Sequence, residues 1–288
     1  MLKGRLGLET GRIPHRDRHG LLWLRRGELS VRNGTLEFAS GGSDRLPPGT
    51  FDIPVQRVSC VILEPGSTVS HDALRILAHY RTGLVVSGDN GVRFYASMPF
   101  GSRDSELARR QVERWADPEA RIEVARRMYA WRLGEVVPHA DLDDLRGREG
   151  ARMKESYRLL AQQHGVRWNG RRYDRDNPAA NDLPNQAINH AATATEAAAL
   201  VAVASTQTVP QLGFIHEHAR HAFALDIADL FRTSVTLPTA FSAAARVDRR
   251  AGADIEAVVR LEIGDTFRQQ TVIADMIDRI KDLFGGDE

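Results

Sequence analysis

Pro99-Phe100-Gly101-Ser102-Arg103-Asp104 divides the chain into two kinds of sequence. On its N-terminal side, short apolar runs at 21–24, 29–31, 35–38, 58–63 and 83–86 alternate with Asn33-Gly34, Gly41-Gly42, Pro47-Pro48-Gly49 and Gly88-Asp89-Asn90-Gly91. Runs this short, bounded by Asn, Gly and Pro, predict strands joined by tight turns. One helix interrupts them: Ser70 is placed as an N-cap, Asp72 in the first turn, and Ala73, Leu74, Ile76 and Leu77 form the apolar stripe. On the C-terminal side, apolar spacing predicts helices over 105–115, 118–133, 142–164, 186–204, 226–232 and 266–284. The expected fold class is α+β. A β-rich N-terminal domain (1–98) and a linker (99–104) precede a mainly α-helical domain (105–288).

Composition narrows the function classes. With 288 residues the chain has length for two modest domains. Charged residues make up 27% and the net charge is +1, which argues against a protein that coats DNA uniformly. Apart from Lys3, Lys154 and Lys281, every Lys or Arg position is Arg. Guanidinium groups bind phosphate in a bidentate, planar way that Lys cannot match, although a GC-rich genome enriches Arg without any functional reason. A basic track on one face is compatible with a near-neutral total. Cys60 is the lone cysteine, so an intramolecular disulfide and a cysteine-based zinc site are excluded. In its apolar run it is expected to be a buried strand residue. No apolar run approaches the roughly 20 residues of a membrane helix. Gly4, Arg5, Glu9 and Arg12 interrupt any signal-peptide core. A cytoplasmic protein is expected.

The residues that promise chemistry lie in the helical half. Gln211-Leu212-Gly213-Phe214-Ile215-His216 is followed ten residues later by Asp226-Ile227-Ala228-Asp229-Leu230. Read as a helix start, the second segment puts Asp226 in a first turn, where the helix dipole favours an acid, and Asp229 on the same face. His216 ends an apolar run, a place where functional side chains are commonly displayed. Glu149, in Leu145-Arg146-Gly147-Arg148-Glu149-Gly150-Ala151-Arg152, is the best third acid. An acid–His–acid set with hard oxygen donors suits Mg²⁺ or Mn²⁺ better than Zn²⁺. From the pattern alone, plainer readings stand beside this one. Asp226 also reads as an ordinary cap. Glu149 also reads as half of an exposed ion pair, worth about 0–1 kcal/mol. His216, His218 and His221 also read as a zinc set, if the segment is a strand with its alternate rings on one face.

Taken together, these strings resemble Cas1, the integrase of CRISPR adaptation, and most of all the branch that accompanies subtype I-E systems. The resemblance is carried by RGREGAR (146–152), WNGRRYD (168–174), NQAIN (185–189), GFIH (213–216) and DIADLFR (226–232). It extends to Pro14-His15-Arg16-Asp17-Arg18, Leu63-Glu64-Pro65-Gly66, Val69-Ser70-His71-Asp72-Ala73 and Gly91-Val92-Arg93-Phe94-Tyr95-Ala96-Ser97, in the family's order.

The resemblance implies that Glu149, His216 and Asp229 are metal ligands and Asp226 a neighbouring acid needed for activity. It implies DNA contacts by Arg75, Arg93, Arg171, Arg172 and Tyr173, with Arg232 and Arg260 as weaker candidates. Guanidinium for phosphate and an aromatic face for an unpaired base make these chemically sensible, while a solvated or stem-packed arginine is the plainer reading of each. The implied activity is CRISPR spacer acquisition, in which prespacer 3′-hydroxyls join the CRISPR repeat by transesterification. The implied partners are a second copy of the chain, dimerised through the β-rich domain, and Cas2, with two dimers bridged by a Cas2 dimer. Two departures stand out. Glu217-His218-Ala219-Arg220 replaces the family's small, Gly-containing turn after its histidine. Pro178, Glu196 and Leu225 occupy positions where some relatives sense the adjacent motif with aromatics. Two other readings of the same residues are a metal-dependent nuclease on branched DNA and a catalytically silent DNA-binding scaffold.

Overall fold

The computed structural model describes residues 20–43, 46–89, 92–98, 105–136, 141–172, 181–250 and 252–284. The chain splits into two compact units. The first holds residues up to Gly88 and resumes at Tyr95; the second holds Asp89–Phe94 and everything from Glu106 onward. The expected linker 99–104 lies outside the described residues, as does Tyr173.

The first unit carries two four-stranded sheets. One has the order β1 (Gly20–Leu24), β5 (Val58–Leu63), β7 (Gly83–Ser87), β8 (Phe94–Met98). The other has the order β4 (Gly49–Asp52), β3 (Thr35–Ser40), β2 (Gly27–Arg32), β6 (Ser67–Val69). Asn33 and Gly34 both have positive φ (51° and 80°) and close the β2–β3 hairpin so that Arg32 faces Thr35. A two-residue turn of this kind matches the strand twist and fixes the register. That register turns Leu29, Leu36 and Phe38 into a core shared with Val61, Leu63, Ala73 and Leu77. The single helix, α1 (His71–Tyr80), starts as expected: the Ser70 hydroxyl accepts the Ala73 N–H at 3.2 Å. Cys60 is fully buried in β5. The fold class is α+β, as expected. Strands β4, β6 and β8 go beyond the sequence reading, being too short or too polar to show an apolar run.

The second unit is helical: α2 (Glu106–Ala116), α3 (Pro118–Leu133), α4 (Leu142–His164), α5 (Leu183–Thr206), α6 (Ala222–Leu230), α7 (Leu237–Asp248), α8 (Ile255–Gln269) and α9 (Val272–Phe284). Helix α5 is its hub, packing against α6, α7, α8 and α9. Its buried Ala187, Ala191, Ala198, Ala199 and Ala202 let four neighbours approach closely. No helix of the described residues is long and apolar enough to cross a membrane.

Three sequence expectations need correction here. The helix expected over 226–232 begins at Ala222 and gives way at Arg232–Thr236 to a π-helical turn that leads into α7. Asp226 is therefore mid-helix rather than at a helix start. The helix expected over 266–284 is two helices, broken at Gln270-Thr271, where Thr271 has φ 54°. Helix α7 is absent from the sequence reading because Pro238 looks like a breaker, whereas in a first turn its missing N–H costs nothing.

Candidate metal centre

The centre of the site is a loop wrapped around a buried carboxylate. Asp226, fully buried in α6, accepts main-chain N–H groups from Phe214 (2.5 Å) and Ile215 (3.1 Å) through Oδ2 and from His216 (3.0 Å) through Oδ1. Its Oδ1 also lies 2.7 Å from His216 Nδ1. Burying an ionised carboxylate is costly unless it is fully hydrogen-bonded, and these four donors meet that need. Because an ionised carboxylate only accepts, Nδ1 is the protonated ring nitrogen, and Nε2 is left with its lone pair directed elsewhere. The Asp226 hydrogen bond raises the His216 pKa. Burial and Arg132 oppose that rise, and the charges of Asp226 and Asp229 reinforce it.

The loop is pinned from its other side by α2. The fully buried Gln111 donates Nε2–H to the carbonyls of Val209 (3.0 Å) and Leu212 (3.1 Å) and accepts the Val209 N–H at 2.7 Å. Trp115 Nε1 donates to the Gly213 carbonyl at 3.0 Å. Gly213 itself has no room for a side chain: a Cβ there would lie 2.3 Å from the His216 carbonyl oxygen and 2.7 Å from the Ala222 Cβ. Phe214 is sealed beneath by the rings of Phe223 and Phe284.

Asp229 follows Asp226 by one turn on the same face, and its Oδ2 lies 3.8 Å from His216 Nε2. Glu149 arrives from α4. What joins Glu149 to Asp229 is Arg132, in the last turn of α3. Its Nη2 pairs with Glu149 Oε1 and lies 3.5 Å from Asp229 Oδ2. The Arg132 side chain is only 6% exposed, and its guanidinium sits over the Tyr129 ring, 5.3 Å from the centroid. A second arginine supports Asp229: Arg232 donates to Asp229 Oδ1 (3.2 Å) and to the Tyr157 hydroxyl (3.0 Å). Burial alone would depress the Arg232 pKa, but Tyr157 and Asp229 beside it more than offset this and raise it. Arg146 donates to the Ile215 carbonyl at 3.2 Å and Arg152 to the Leu133 carbonyl, tying α4 to the histidine loop and to the end of α3.

The four residues expected to form the site are linked pairwise, Glu149 to Asp229 through Arg132 and His216 to Asp226 and Asp229 directly, and their positions differ. Glu149 and Asp229, each 20% exposed, line a small pocket with Arg132, and His216, 36% exposed, stands beside Asp229, whereas Asp226 is sealed behind the imidazole. The donor types suit a hard divalent cation: two carboxylates meet on Arg132, and the His216 Nε2 lies 3.8 Å from one of them. Among the described residues, no three acidic, histidine or cysteine side chains are close enough to hold an ion as they stand. The zinc alternative finds no support. His216 lies in a loop rather than a strand, its Nδ1 is committed to Asp226, and His221 Nδ1 is 3.6 Å from Glu196. Asp226 is neither a helix cap nor a first-turn acid, but the anchor of the loop.

The expected DNA-contacting arginines fall in several places. Arg75, in the first unit, is exposed and paired with Asp72 at 3.2 Å. Arg93 and Arg260, both exposed, converge on Glu256, Arg260 at 3.7 Å. Arg171 is bound to the side-chain oxygens of Asn185 (2.9 Å) and Asn189 (2.7 Å), and Asn185 also accepts the Arg172 N–H at 2.9 Å. Arg232 belongs to the centre itself. Sequence reasoning misses Gln111, Trp115 and Arg132. Each sits on a helix whose local pattern explains it adequately, and only tertiary packing reveals its partner.

The model of the family described as CRISPR associated protein Cas1 matches residues 21–137 and 130–253. The chain is 36% identical over 278 residues to the CRISPR-associated endonuclease Cas1 of Escherichia coli K12, covering 96% of this chain and 88% of that one. The chain belongs to the Cas1 family. It is likewise 36% identical over 273 residues to the Cas1 endonuclease of Geobacter sulfurreducens, covering 94% of this chain and 86% of that protein. The solved TtCas1–DNA complex superposes with a TM-score of 0.83 at 29% identity, covering 94% of this Cas1-family chain and 98% of that one. A casposase bound to its integration product shares the fold (TM-score 0.65, 17% identity, covering 92% and 95%).

Proposed function

We propose that this chain is a metal-dependent DNA integrase of CRISPR spacer acquisition, of the branch that accompanies subtype I-E systems. The observation that carries the reading is the meeting of Glu149 and Asp229 on one positive group, Arg132, with His216 Nε2 3.8 Å from Asp229 Oδ2 and its ring oriented by the bond from Nδ1 to Asp226. In this reading Glu149, His216 and Asp229 hold Mg²⁺ or Mn²⁺. The bound ion supplies charge neutralisation at a phosphodiester and eases deprotonation of an attacking hydroxyl. Asp226 holds the imidazole in one tautomer and one orientation. Arg232 fixes the Asp229 carboxylate, and Arg146 ties the histidine loop to the helix of Glu149.

The reaction proposed is transesterification. A prespacer 3′-hydroxyl oxygen forms a new bond to phosphorus at the CRISPR repeat boundary, and the bond from phosphorus to the displaced 3′-oxygen breaks. One phosphodiester replaces another, so no nucleotide hydrolysis is needed. The protein's contribution is positioning and charge stabilisation. Arg75, Arg93, Arg171, Arg172, Tyr173 and Arg260 are proposed to position DNA, with Arg171 acting through the loop it braces. The β-rich domain (1–98) is proposed to dimerise, the helical domain (105–288) to be catalytic, and Cas2 to bridge two such dimers, in the cytoplasm. The DNA complex of TtCas1 supports the DNA reading.

Hydrolysis with water as nucleophile is the second reading, favoured by the relatives' designation as endonucleases. The test is strand transfer on a branched DNA with a free 3′-hydroxyl and Mn²⁺ or Mg²⁺, comparing the parent with His216→Ala. Metal-dependent joining that the substitution abolishes is expected. Cleavage without joining selects the nuclease. Retained DNA binding with neither reaction, Cas2 included, leaves a scaffold.

A further inference from the structure

We propose that Arg132 is a built-in counter-ion of the metal centre, and that a divalent cation binds by displacing its guanidinium from Glu149 and Asp229. The inference rests on the metal-centre reading above and goes beyond it, because it assigns a role to a residue outside the ligand set.

Two observations carry it. Arg132 is the only cation among the described residues paired with both carboxylates of the proposed ligand set, through the same nitrogen, Nη2. It is 6% exposed, so it is not one of the solvated surface arginines whose pairs are worth little.

The electrostatics follow from this placement. Without a cation between them, Glu149 and Asp229 would repel each other in a half-buried cleft. Arg132 relieves that repulsion and holds the two carboxylates near one another while no ion is bound. The arriving ion meets a like charge at the same two oxygens, so retaining Arg132 and binding the ion are mutually exclusive. The consequence is an affinity lowered by competition.

Two measurements on the full chain test this. The first is the crystal structure of the parent grown with Mn²⁺, its position fixed by anomalous scattering. Manganese bound by Glu149, His216 and Asp229, with Arg132 withdrawn from both carboxylates, is the expected result. Manganese there with Arg132 still paired to either acid overturns the proposal. Failure of manganese to occupy the site at all overturns the metal-centre reading itself. The second is titration calorimetry with MnCl₂ on the parent, Arg132→Gln, Arg132→Lys and His216→Ala. The glutamine variant is expected to bind about tenfold or more tighter than the parent. The lysine variant, which keeps the charge, is expected to stay near the parent, and the alanine variant to lose site binding. Equal or weaker binding by a folded glutamine variant overturns the proposal. If that variant does not fold, the manganese-bound parent structure decides.

Discussion

The Asp226 carboxylate holds His216 twice: Oδ1 accepts its main-chain N–H at 3.0 Å and lies 2.7 Å from its ring Nδ1. Backbone and ring of the same residue are thus fixed by one oxygen, and the direction of Nε2 follows from the fold of the loop. Asp226→Ala leaves the N–H groups of Phe214, Ile215 and His216 without their acceptor, each at roughly 1–3 kcal/mol. Urea unfolding is expected to show a loss of about 3 kcal/mol or more. A loss below about 1 kcal/mol would mean that the loop does not depend on this carboxylate.

Gly213 is expected to tolerate no side chain. A Cβ at 2.3 Å from the His216 carbonyl oxygen forces the backbone beside the proposed ligand to move. Gly213→Ala should cost about 1–3 kcal/mol in stability and abolish Mn²⁺-dependent joining, while circular dichroism retains the helical signal. Full activity in this variant would show that the histidine loop relaxes without consequence.

Asn185 braces the segment that carries Arg171 and Arg172 onto the start of α5. It accepts from both, and its Nδ2 donates to the Gly170 carbonyl (3.0 Å) and to Asp182 (2.6 Å). Asn185→Ala is expected to expose residues 165–172 to limited proteolysis and to weaken DNA binding without touching any proposed ligand of the ion. An unchanged cleavage pattern with weakened DNA binding would move the role from bracing to direct contact.

Arg93 and Arg260 share Glu256 on an exposed face, where ion pairs contribute about 0–1 kcal/mol. Arg93→Ala should therefore leave the melting temperature nearly unchanged. If Arg93 meets a phosphate, the slope of log binding constant against log salt should fall by about one. An unaltered slope removes Arg93 from the DNA surface.

Much of this architecture is legible in the sequence, for identifiable reasons. Asn33-Gly34 fixes a hairpin register locally. Helices α3 and α4 are readable to the residue because Asp117 and Asp141 cap their starts and Gly134 and Gly165 take the left-handed conformation at their ends. Helix α6 is not so marked: His221 makes no side-chain cap bond, so Asp226 looks like the natural beginning. The α8–α9 break falls at Thr271, with neither Gly nor Pro to announce it. In the site, the acids and the imidazole are legible because their chemistry is unusual for their surroundings. Arg132 is not, since an arginine in a last helical turn is already explained by the helix dipole, and its partners come from α4 and α6.

The proposed ligands reach the centre by routes of very different length along the chain. His216 and Asp229 belong to one continuous loop-and-helix segment, bound together through Asp226, while Glu149 is delivered by α4, separated from that segment in the chain by the long helix α5. Local contacts form early and distant ones late in a folding reaction. A nascent or partly unfolded chain that has made α6 and its loop, but has not yet docked α4, therefore carries two donors without the third. Under the metal-centre proposal, such a species holds no complete ligand set until α4 docks.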